Sequence, residues 1–105
     1  MADSTRRVAQ TLDDIYDAVQ AVAPGYGVRA VGVFGSFARG DQKPSSDVDL
    51  AVQFPPTASL MDVEGFRADM ERLVGRDVDV VSSLVGASPA FCASLKRDLV
   101  RLYEG

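Results

Sequence analysis

Two aspartate residues near the middle of the chain have the spacing at which carboxylate groups can share a metal ion. Only Val48 separates Asp47 from Asp49, and in a β-strand residues two apart point to the same face. Ionised carboxylates about 7 Å apart on one strand face repel each other unless a cation lies between them. Carboxylate oxygens are also the ligands that Mg²⁺ prefers, and paired Mg²⁺ ions stabilise phosphoryl transfer. The pair therefore predicts a metal site, with a solvated strand end as the alternative.

The segment 77–79 repeats this pattern, with Asp77 and Asp79 on either side of a valine. If its strand lies beside the strand of Asp49, one of these carboxylates faces the first pair. We expect Asp79 to be that residue because it lies deeper in the strand, whereas Asp77 directly follows a Gly-Arg pair near the solvent. Asp47, Asp49 and Asp79 are therefore the candidate metal-binding residues, and a solvated strand face is the alternative for Asp79.

A Gly-Ser pair, Gly35 and Ser36, follows the apolar segment 28–34. Glycine allows a tight turn whose N–H groups can approach a phosphate, and the serine hydroxyl can donate to a phosphate oxygen. Arg39 adds either a charged contact to the phosphates or a salt bridge that holds the loop. Taken alone, a plain turn capped by serine explains the pair equally well. The phosphate-binding motifs GxxxxGK[ST] and GxGxxG are both absent from the sequence.

The composition limits the chemistry that the chain can perform. It has no histidine and one cysteine, Cys92, which excludes histidine-dependent catalytic triads and the usual histidine and cysteine zinc sites. Carboxylate, hydroxyl, lysine and arginine chemistry remains. The net charge of −4 argues against direct binding of nucleic acid, which uses a basic surface. A nucleotide is still compatible, because a bound metal ion can supply positive charge locally.

The length and the hydropathy pattern favour one small domain. The chain has 105 residues, so we expect a single domain over 1–105. No segment approaches the roughly 20 apolar residues that cross a bilayer, and the first residues, MADSTRR, lack the apolar region of a secretory signal. We therefore expect a cytoplasmic protein without a membrane contact.

The periodicity of the apolar residues predicts an α+β fold in which helices pack against a small mixed β-sheet. A helix is expected over 5–22, with Asp3, Ser4 or Thr5 as its N-cap. A second helix is expected between a capping box at Ser59 and Asp62 and a terminating glycine at 75. A third helix is predicted over 88–99, and 35–44 is predicted to be a loop or a broken helical turn. The predicted strands are 28–34, 47–54, 76–82 and 99–103.

The combined motif resembles the nucleotidyltransferase superfamily related to the catalytic core of DNA polymerase beta. That superfamily carries a Gly-Ser turn, an Asp-x-Asp pair some ten residues later and a further single Asp. The stretch GSFARG…SDVDL is most similar to the minimal nucleotidyltransferases of prokaryotes, and the similarity extends to GRDVDVV and LVRLYEG. The resemblance therefore covers nearly the whole chain and implies the nucleotidyltransferase fold.

The resemblance also implies an activity, namely the transfer of AMP from ATP to an acceptor hydroxyl with release of pyrophosphate. It implies that the three aspartates are catalytic and hold two Mg²⁺ ions, and that Asp79 also orients or deprotonates the acceptor. Gly35 and Ser36 are implied to bind the β- and γ-phosphates, and Arg39 to support the loop or the phosphates.

The partner implied by the resemblance is a HEPN-domain toxin. Minimal members of the superfamily are similar to antitoxins that adenylylate a tyrosine of such a toxin, and this is the function we expect. Two alternatives stay open: transfer to a small molecule such as an aminoglycoside, and a non-catalytic antitoxin that only binds the toxin. The apolar first helix or the apolar C-terminal segment could serve a homo- or hetero-oligomer.

Overall fold

The computed structural model describes residues 8–83 and 86–105. The helices and strands within these residues follow the order that the sequence predicts, with one additional 3₁₀ turn. In chain order they are α1 (Leu12–Val22), the 3₁₀ turn (Ala23–Tyr26), β1 (Ala30–Phe34), α2 (Ser36–Arg39), β2 (Val48–Gln53), α3 (Leu60–Val74), β3 (Val78–Val81), α4 (Pro89–Asp98) and β4 (Val100–Glu104). In the described part of the chain, no helix has the length and apolar character needed to cross a membrane.

The strands form one mixed sheet in the order β3-β2-β1-β4. Strand β1 pairs antiparallel with both β2 and β4, whereas β2 and β3 pair in parallel. A parallel pair requires a crossover connection, and α3 is the helix of that crossover. The mixed sheet with packed helices confirms the predicted α+β class.

The two longer helices, α1 and α3, contribute to the core that lies on one face of the sheet. Side chains of β2 alternate between this core and the opposite face, so that Val48 and Leu50 are fully buried while Asp49 is only partly buried. Phe66 and Met70 of α3 are fully buried in the same apolar cluster. The core therefore fixes which face of the sheet presents the polar residues of β2.

Helix α1 begins later than the sequence predicts. Thr11 is the N-cap: its hydroxyl accepts a hydrogen bond from the Asp14 N–H at 3.3 Å, and the Asp14 carboxylate accepts one from the Thr11 N–H at 3.2 Å. This capping box fixes the helix start at Leu12. The predicted helix over 5–22 is therefore wrong at residues 8–11, which precede the helix. The predicted N-caps Asp3, Ser4 and Thr5 lie outside the described residues.

Helix α3 has the boundaries that its capping signals predict. Ser59 accepts from the Asp62 N–H at 3.2 Å, and the Asp62 carboxylate accepts from the Ser59 N–H at 2.9 Å. At the other end, Gly75 takes a left-handed conformation with φ of 68°, which glycine adopts without steric cost. Strand β3, which carries Asp79, starts three residues after this glycine.

Candidate active site

The parallel pairing of β2 and β3 brings two of the three predicted carboxylates together. Asp49 lies directly opposite Asp79 in the strand register. Because Val48 and Leu50 are buried in the core, the Asp49 side chain lies on the other face of the sheet, as does that of Asp79. Asp47 immediately precedes β2 and is exposed. Asp79, which the sequence predicts to face Asp49, is therefore its neighbour across the strands.

The carboxylates act on each other electrostatically. The pKa of Asp49 is raised from 3.8 to about 6, first by its partial burial and then by the negative charges of Asp79 and Asp47. A hydrogen bond with Asp79 raises it further, while the guanidinium of Arg39 opposes the shift. The site thus holds more negative charge than its own cationic groups balance, which is the condition that a bound cation would relieve.

The donor set of this cluster fits a magnesium ion that also binds a phosphate. Within 8–83 and 86–105, no three Cys, Asp or Glu residues are gathered into a complete metal-ligating group. Mg²⁺ does not require one, since it is usually held by one or two carboxylates together with waters and substrate phosphates. Asp49 and Asp79 supply oxygen ligands of this kind, and the negative charge of Asp79 contributes to the raised pKa of Asp49.

The glycine of the Gly-Ser turn is required by its backbone conformation and by its neighbour. Gly35 has φ of 76° and ψ of −151°, a combination that is essentially restricted to glycine. A Cβ atom at this position would also collide with Oδ2 of Asp49. The Gly-Ser turn therefore lies directly against the side chain of Asp49, which the sequence motif alone did not show.

Replacing Gly35 with alanine is expected to destabilise the protein by about 2–4 kcal/mol, because the change adds a steric collision to backbone strain. The matched control is Gly40→Ala, since Gly40 has φ of 82° but has nothing within 4 Å of an added Cβ. We expect that control to lose only about 1 kcal/mol. Urea unfolding of both variants measures the difference, and equal losses would contradict the proposed collision. Shortening the neighbour, in Gly35→Ala with Asp49→Ala, is expected to recover part of the loss.

Helix α2 is a single turn that begins at Ser36 and is anchored by Arg39. The carbonyl of Ser36 accepts from the N–H groups of Gly40 at 2.9 Å and Asp41 at 3.1 Å. Arg39 donates to Asp41 at 3.3 Å and to Asp98 of α4 at 3.1 Å. Of the two roles predicted for Arg39, the salt bridge that holds the loop is the one the structure contains. Its role toward phosphates stays a prediction.

Arg76 is a positioning residue whose role the sequence did not reveal. Its Nε donates to the carbonyl of Ala9 at 2.5 Å, and its guanidinium lies 5.1 Å from the centre of the Phe37 ring. Its Nη1 donates to three carbonyl oxygens in the loop before β2, those of Lys43 (3.1 Å), Pro44 (2.9 Å) and Ser46 (3.0 Å). Arg76 therefore fixes the loop from which Asp47 and β2 emerge. The one sequence clue is its place between a helix-ending glycine and β3.

Replacing Arg76 with lysine is expected to destabilise the protein nearly as much as replacing it with alanine, by about 2–3 kcal/mol. A lysine ammonium is compact and cannot reproduce the planar fork that reaches carbonyls on two segments. The control is Arg72→Ala. Arg72 is largely exposed on α3, and its one ion pair within the described residues is with Asp69. Urea unfolding of the three variants tests this, and a fully stable Arg76→Lys would contradict the role assigned to the fork.

Tyr26 and Lys43 lie outside the carboxylate cluster. Tyr26 donates its hydroxyl to Asp69 at 2.6 Å and packs edge-on against Phe66 with 5.8 Å between ring centres. It therefore joins the 3₁₀ turn to α3 and has a structural role. Lys43 is exposed in the loop that Arg76 holds, where its carbonyl accepts from Arg76.

The fold and the site define a class of small α+β domain in which carboxylates on an open sheet face adjoin a Gly-Ser turn, an arrangement suited to phosphoryl transfer. Comparison with known families assigns the chain within that class. The family described as "Polymerase beta, Nucleotidyltransferase" matches residues 18–105. The chain belongs to this nucleotidyltransferase family, as its sequence motif implied.

Curated relatives of the chain are named as protein adenylyltransferases. Protein adenylyltransferase MntA of Thermococcus cleftensis is 45% identical over 56 residues, which are 53% of this chain and 57% of that protein. A protein of Methanocaldococcus jannaschii that bears the adenylyltransferase name provisionally is 39% identical over 57 residues, 54% of this chain and 61% of that protein. The matched part of the chain thus spans about three fifths of the length of these two relatives.

Solved structures share the fold. A protein named provisionally as a minimal nucleotidyltransferase is 34% identical with a TM-score of 0.70, covering 85% of this chain and 90% of that one. A toxin–antitoxin structure with AMP-PNP is 24% identical with a TM-score of 0.65, covering 89% and 73%. A Shewanella oneidensis complex of a tri-AMPylated HEPN toxin with MNT antitoxin is 18% identical with a TM-score of 0.62, covering 87% and 71%. The last two show likeness of fold alone.

Proposed function

We propose that this protein transfers AMP from ATP to a hydroxyl group of a partner protein. The observation that carries the proposal is the register pairing of Asp49 with Asp79, in contact with the turn at Gly35. Phosphoryl transfer requires positioning and charge stabilisation more than covalent chemistry from the protein, and these residues supply both. The adenylyltransferase names of the relatives support AMP as the transferred group.

In the proposed reaction the acceptor oxygen forms a bond to the α-phosphorus of ATP. The bond between that phosphorus and the bridging oxygen to the β-phosphate breaks, and pyrophosphate leaves with the electron pair. The hydroxyl proton passes to the carboxylate of Asp79, which lies at the edge of the cluster and is exposed. The products are an AMP ester of the acceptor and pyrophosphate, so atoms and charge balance.

Magnesium is the metal that we propose for the site. Asp47, Asp49 and Asp79 would hold it, together with phosphate oxygens of the nucleotide. When bound, Mg²⁺ neutralises charge on the phosphates and on the leaving pyrophosphate. The raised pKa of Asp49 supports this ligand set, because a cation favours the ionised carboxylates that otherwise repel one another.

The Gly-Ser turn is the proposed phosphate-binding element. Gly35 allows the backbone to lie against the carboxylate of Asp49, so a phosphate bound at this turn is adjacent to the proposed metal ligands. The Ser36 hydroxyl and the neighbouring N–H groups would donate to the β- and γ-phosphates. Arg39 is already engaged with two aspartates, so we propose that it supports this turn and contributes positive charge nearby.

The partner that we propose is a HEPN-domain toxin, with a tyrosine as the acceptor and this chain as the antitoxin. Support comes from the likeness of fold to a toxin–antitoxin structure with AMP-PNP and to a complex of an AMPylated HEPN toxin with MNT antitoxin. The location proposed with this activity is the cytoplasm, where ATP is abundant. The activity and the partner are proposals for this chain, because its match covers only part of the length of the two adenylyltransferase relatives.

The decisive experiment is a transfer assay with the protein encoded next to this chain. The purified pair is incubated with Mg²⁺ and ATP labelled on the α-phosphate. We expect label on the neighbour, and we expect Asp47→Asn combined with Asp49→Asn to remove it. An unlabelled neighbour that still forms a stable complex would indicate a non-catalytic antitoxin, and labelling that the double variant leaves unchanged would refute the assigned site.

A further inference from the structure

Helix α4 lies against the strand that leads into the Gly-Ser turn. Leu95, in the last turn of the helix, is buried. A Cβ atom at Gly32 of β1 would lie 2.6 Å from Cδ1 of Leu99, the residue that follows α4. The chain then continues directly into β4, which pairs antiparallel with β1. The C-terminal end of α4 therefore has a fixed place beside β1.

Two side chains of α4 contact residues on either side of the Gly-Ser turn. Near the start of the helix, Phe91 packs edge-on against Phe34 with 5.9 Å between ring centres, and Phe34 directly precedes Gly35. About two helical turns later, Asp98 accepts from Nη1 of Arg39 at 3.1 Å, and Arg39 is the last residue of α2. One helix therefore contacts the chain both before and after the turn.

Both contacts adjoin the carboxylate site. Phe34 lies directly opposite Asp49 in the register of β1 and β2, so its side chain is on the sheet face that carries this carboxylate. The pKa of Asp49 is raised mainly by burial, and the positive charge of Arg39 acts against that rise. Arg39 is therefore close enough to the site to influence its charge, and α4 contacts both Phe34 and Arg39.

Asp98 occupies a position that the stability of the helix alone does not explain. It is the last residue of α4, where the helix dipole disfavours an acidic side chain. Its side chain is also only 9% exposed, and burying a carboxylate is costly unless a cation pairs with it. Arg39 is that cation, while Nε of Arg97 is further away at 3.6 Å. The ion pair with Arg39 therefore accounts for an aspartate at this place.

We propose that Asp98 is a positioning residue for the Gly-Ser turn and acts through Arg39. The inference rests on the proposed function, in which this turn binds the β- and γ-phosphates of ATP. The Arg39 side chain is 47% exposed, and an arginine that is free to move loses rotamer entropy when it is ordered beside a ligand. Because Asp98 already orders the guanidinium, its positive charge is available beside the turn without that loss when the triphosphate binds.

Asp41 offers a matched comparison, because it pairs with the same arginine. It accepts from Nε of Arg39 at 3.3 Å, but its side chain is 62% exposed, and it lies in the loop that follows α2 instead of on a packed helix. An exposed ion pair contributes little. Asp98→Asn and Asp41→Asn therefore remove the same charge from the same arginine, and they differ in whether the lost partner is fixed in place.

The test compares the affinity for AMP-PNP with the affinity for AMP, both with Mg²⁺, by calorimetry. AMP lacks the β- and γ-phosphates, so it reports on the rest of the site. We expect Asp98→Asn to weaken AMP-PNP about tenfold, the order of one charge-assisted contact with phosphate, and to change AMP less than about twofold. Asp41→Asn is expected to change either affinity by less than about twofold. Adding Asp98→Asn to Arg39→Gln should weaken AMP-PNP no further, because the aspartate acts through the arginine.

Equal weakening of AMP-PNP and AMP by Asp98→Asn would show a merely structural role and refute the inference. Unchanged or tighter binding of AMP-PNP would also refute it, because Asp98 would then have no effect on the phosphates or would compete with them for Arg39. An additive loss in the double variant would exclude action through Arg39. Asp98→Ser repeats the test should the asparagine variant fail to unfold cooperatively in urea. If the wild type itself does not bind AMP-PNP, the proposed function is wrong, and so is the inference that rests on it.

Discussion

Replacing Asp79 with asparagine is expected to lower the rate of AMP transfer by about 10³-fold or more, whereas Asp77→Asn should leave it within twofold. The first change removes a carboxylate that lies opposite Asp49 in the strand register. Charge stabilisation by metal ligands is worth several kcal/mol in phosphoryl transfer, and about 4 kcal/mol corresponds to a thousandfold change in rate. The expected contrast between the two variants follows from the register of β3 alone.

The Asp77→Asn control is closely matched because it removes the same charge two residues away. Asp77 is exposed immediately before β3, and the contact that joins it to β2 is its backbone carbonyl, which accepts from the Val48 N–H at 2.9 Å. The substitution preserves that bond. Initial rates at saturating ATP, with AMP-PNP affinity measured in parallel, give the comparison. Equal losses in the two variants would mean that net charge, and not the position of Asp79, determines the rate.

The site was predictable to the extent that it depends on the periodicity of strands. The alternation of Asp49 with buried Val48 and Leu50 already indicated which face carries the carboxylate. The deeper position of Asp79 in its segment correctly indicated which aspartate of the second pair would lie opposite. Such features depend on residues one or two positions apart, and the sequence encodes them directly.

Features that depend on contacts between distant segments were not predictable in this way. Arg76 joins carbonyls near residue 9 to others at 43–46, and nothing in its local sequence indicates those acceptors. The collision that forbids a side chain at Gly35 requires knowledge of where the Asp49 carboxylate lies. The start of α1 was predicted too early for a different reason. The apolar spacing extends to Val8, which precedes the capping box at Thr11 where the helix begins.

The carboxylate cluster should make the metal-free protein less stable than it could be. Asp49→Asn is expected to raise the free energy of unfolding at pH 7 in the absence of divalent ions. The raised pKa of Asp49, about 6 against 3.8, would correspond to about 3 kcal/mol for a fully buried group. Because Asp49 is only partly buried and solvent screens its neighbours, we expect about 1–2 kcal/mol.

The sign of this effect fixes its dependence on pH. The folded protein binds the Asp49 proton more tightly than the unfolded chain, so ionisation of Asp49 destabilises the fold. The penalty is absent below about pH 4, grows as the pH rises through about 6 and is constant above that. The difference in stability between Asp49→Asn and the wild type should therefore grow across this interval. The control Asp17→Asn, at an exposed position of α1, should follow the wild-type profile.

Magnesium should offset this difference in stability, because it binds the ionised cluster only where Asp49 is present. Mg²⁺ at ten times its dissociation constant is expected to stabilise the wild type by about 1.4 kcal/mol and to leave Asp49→Asn nearly unchanged. Urea unfolding at pH 7, with and without Mg²⁺, measures both effects. Parallel profiles for the two proteins from pH 4 to 7 would show that the carboxylates do not strain the fold. If the profiles diverge as expected, the partial burial of Asp49 and the negative charges of its neighbours together destabilise the metal-free fold.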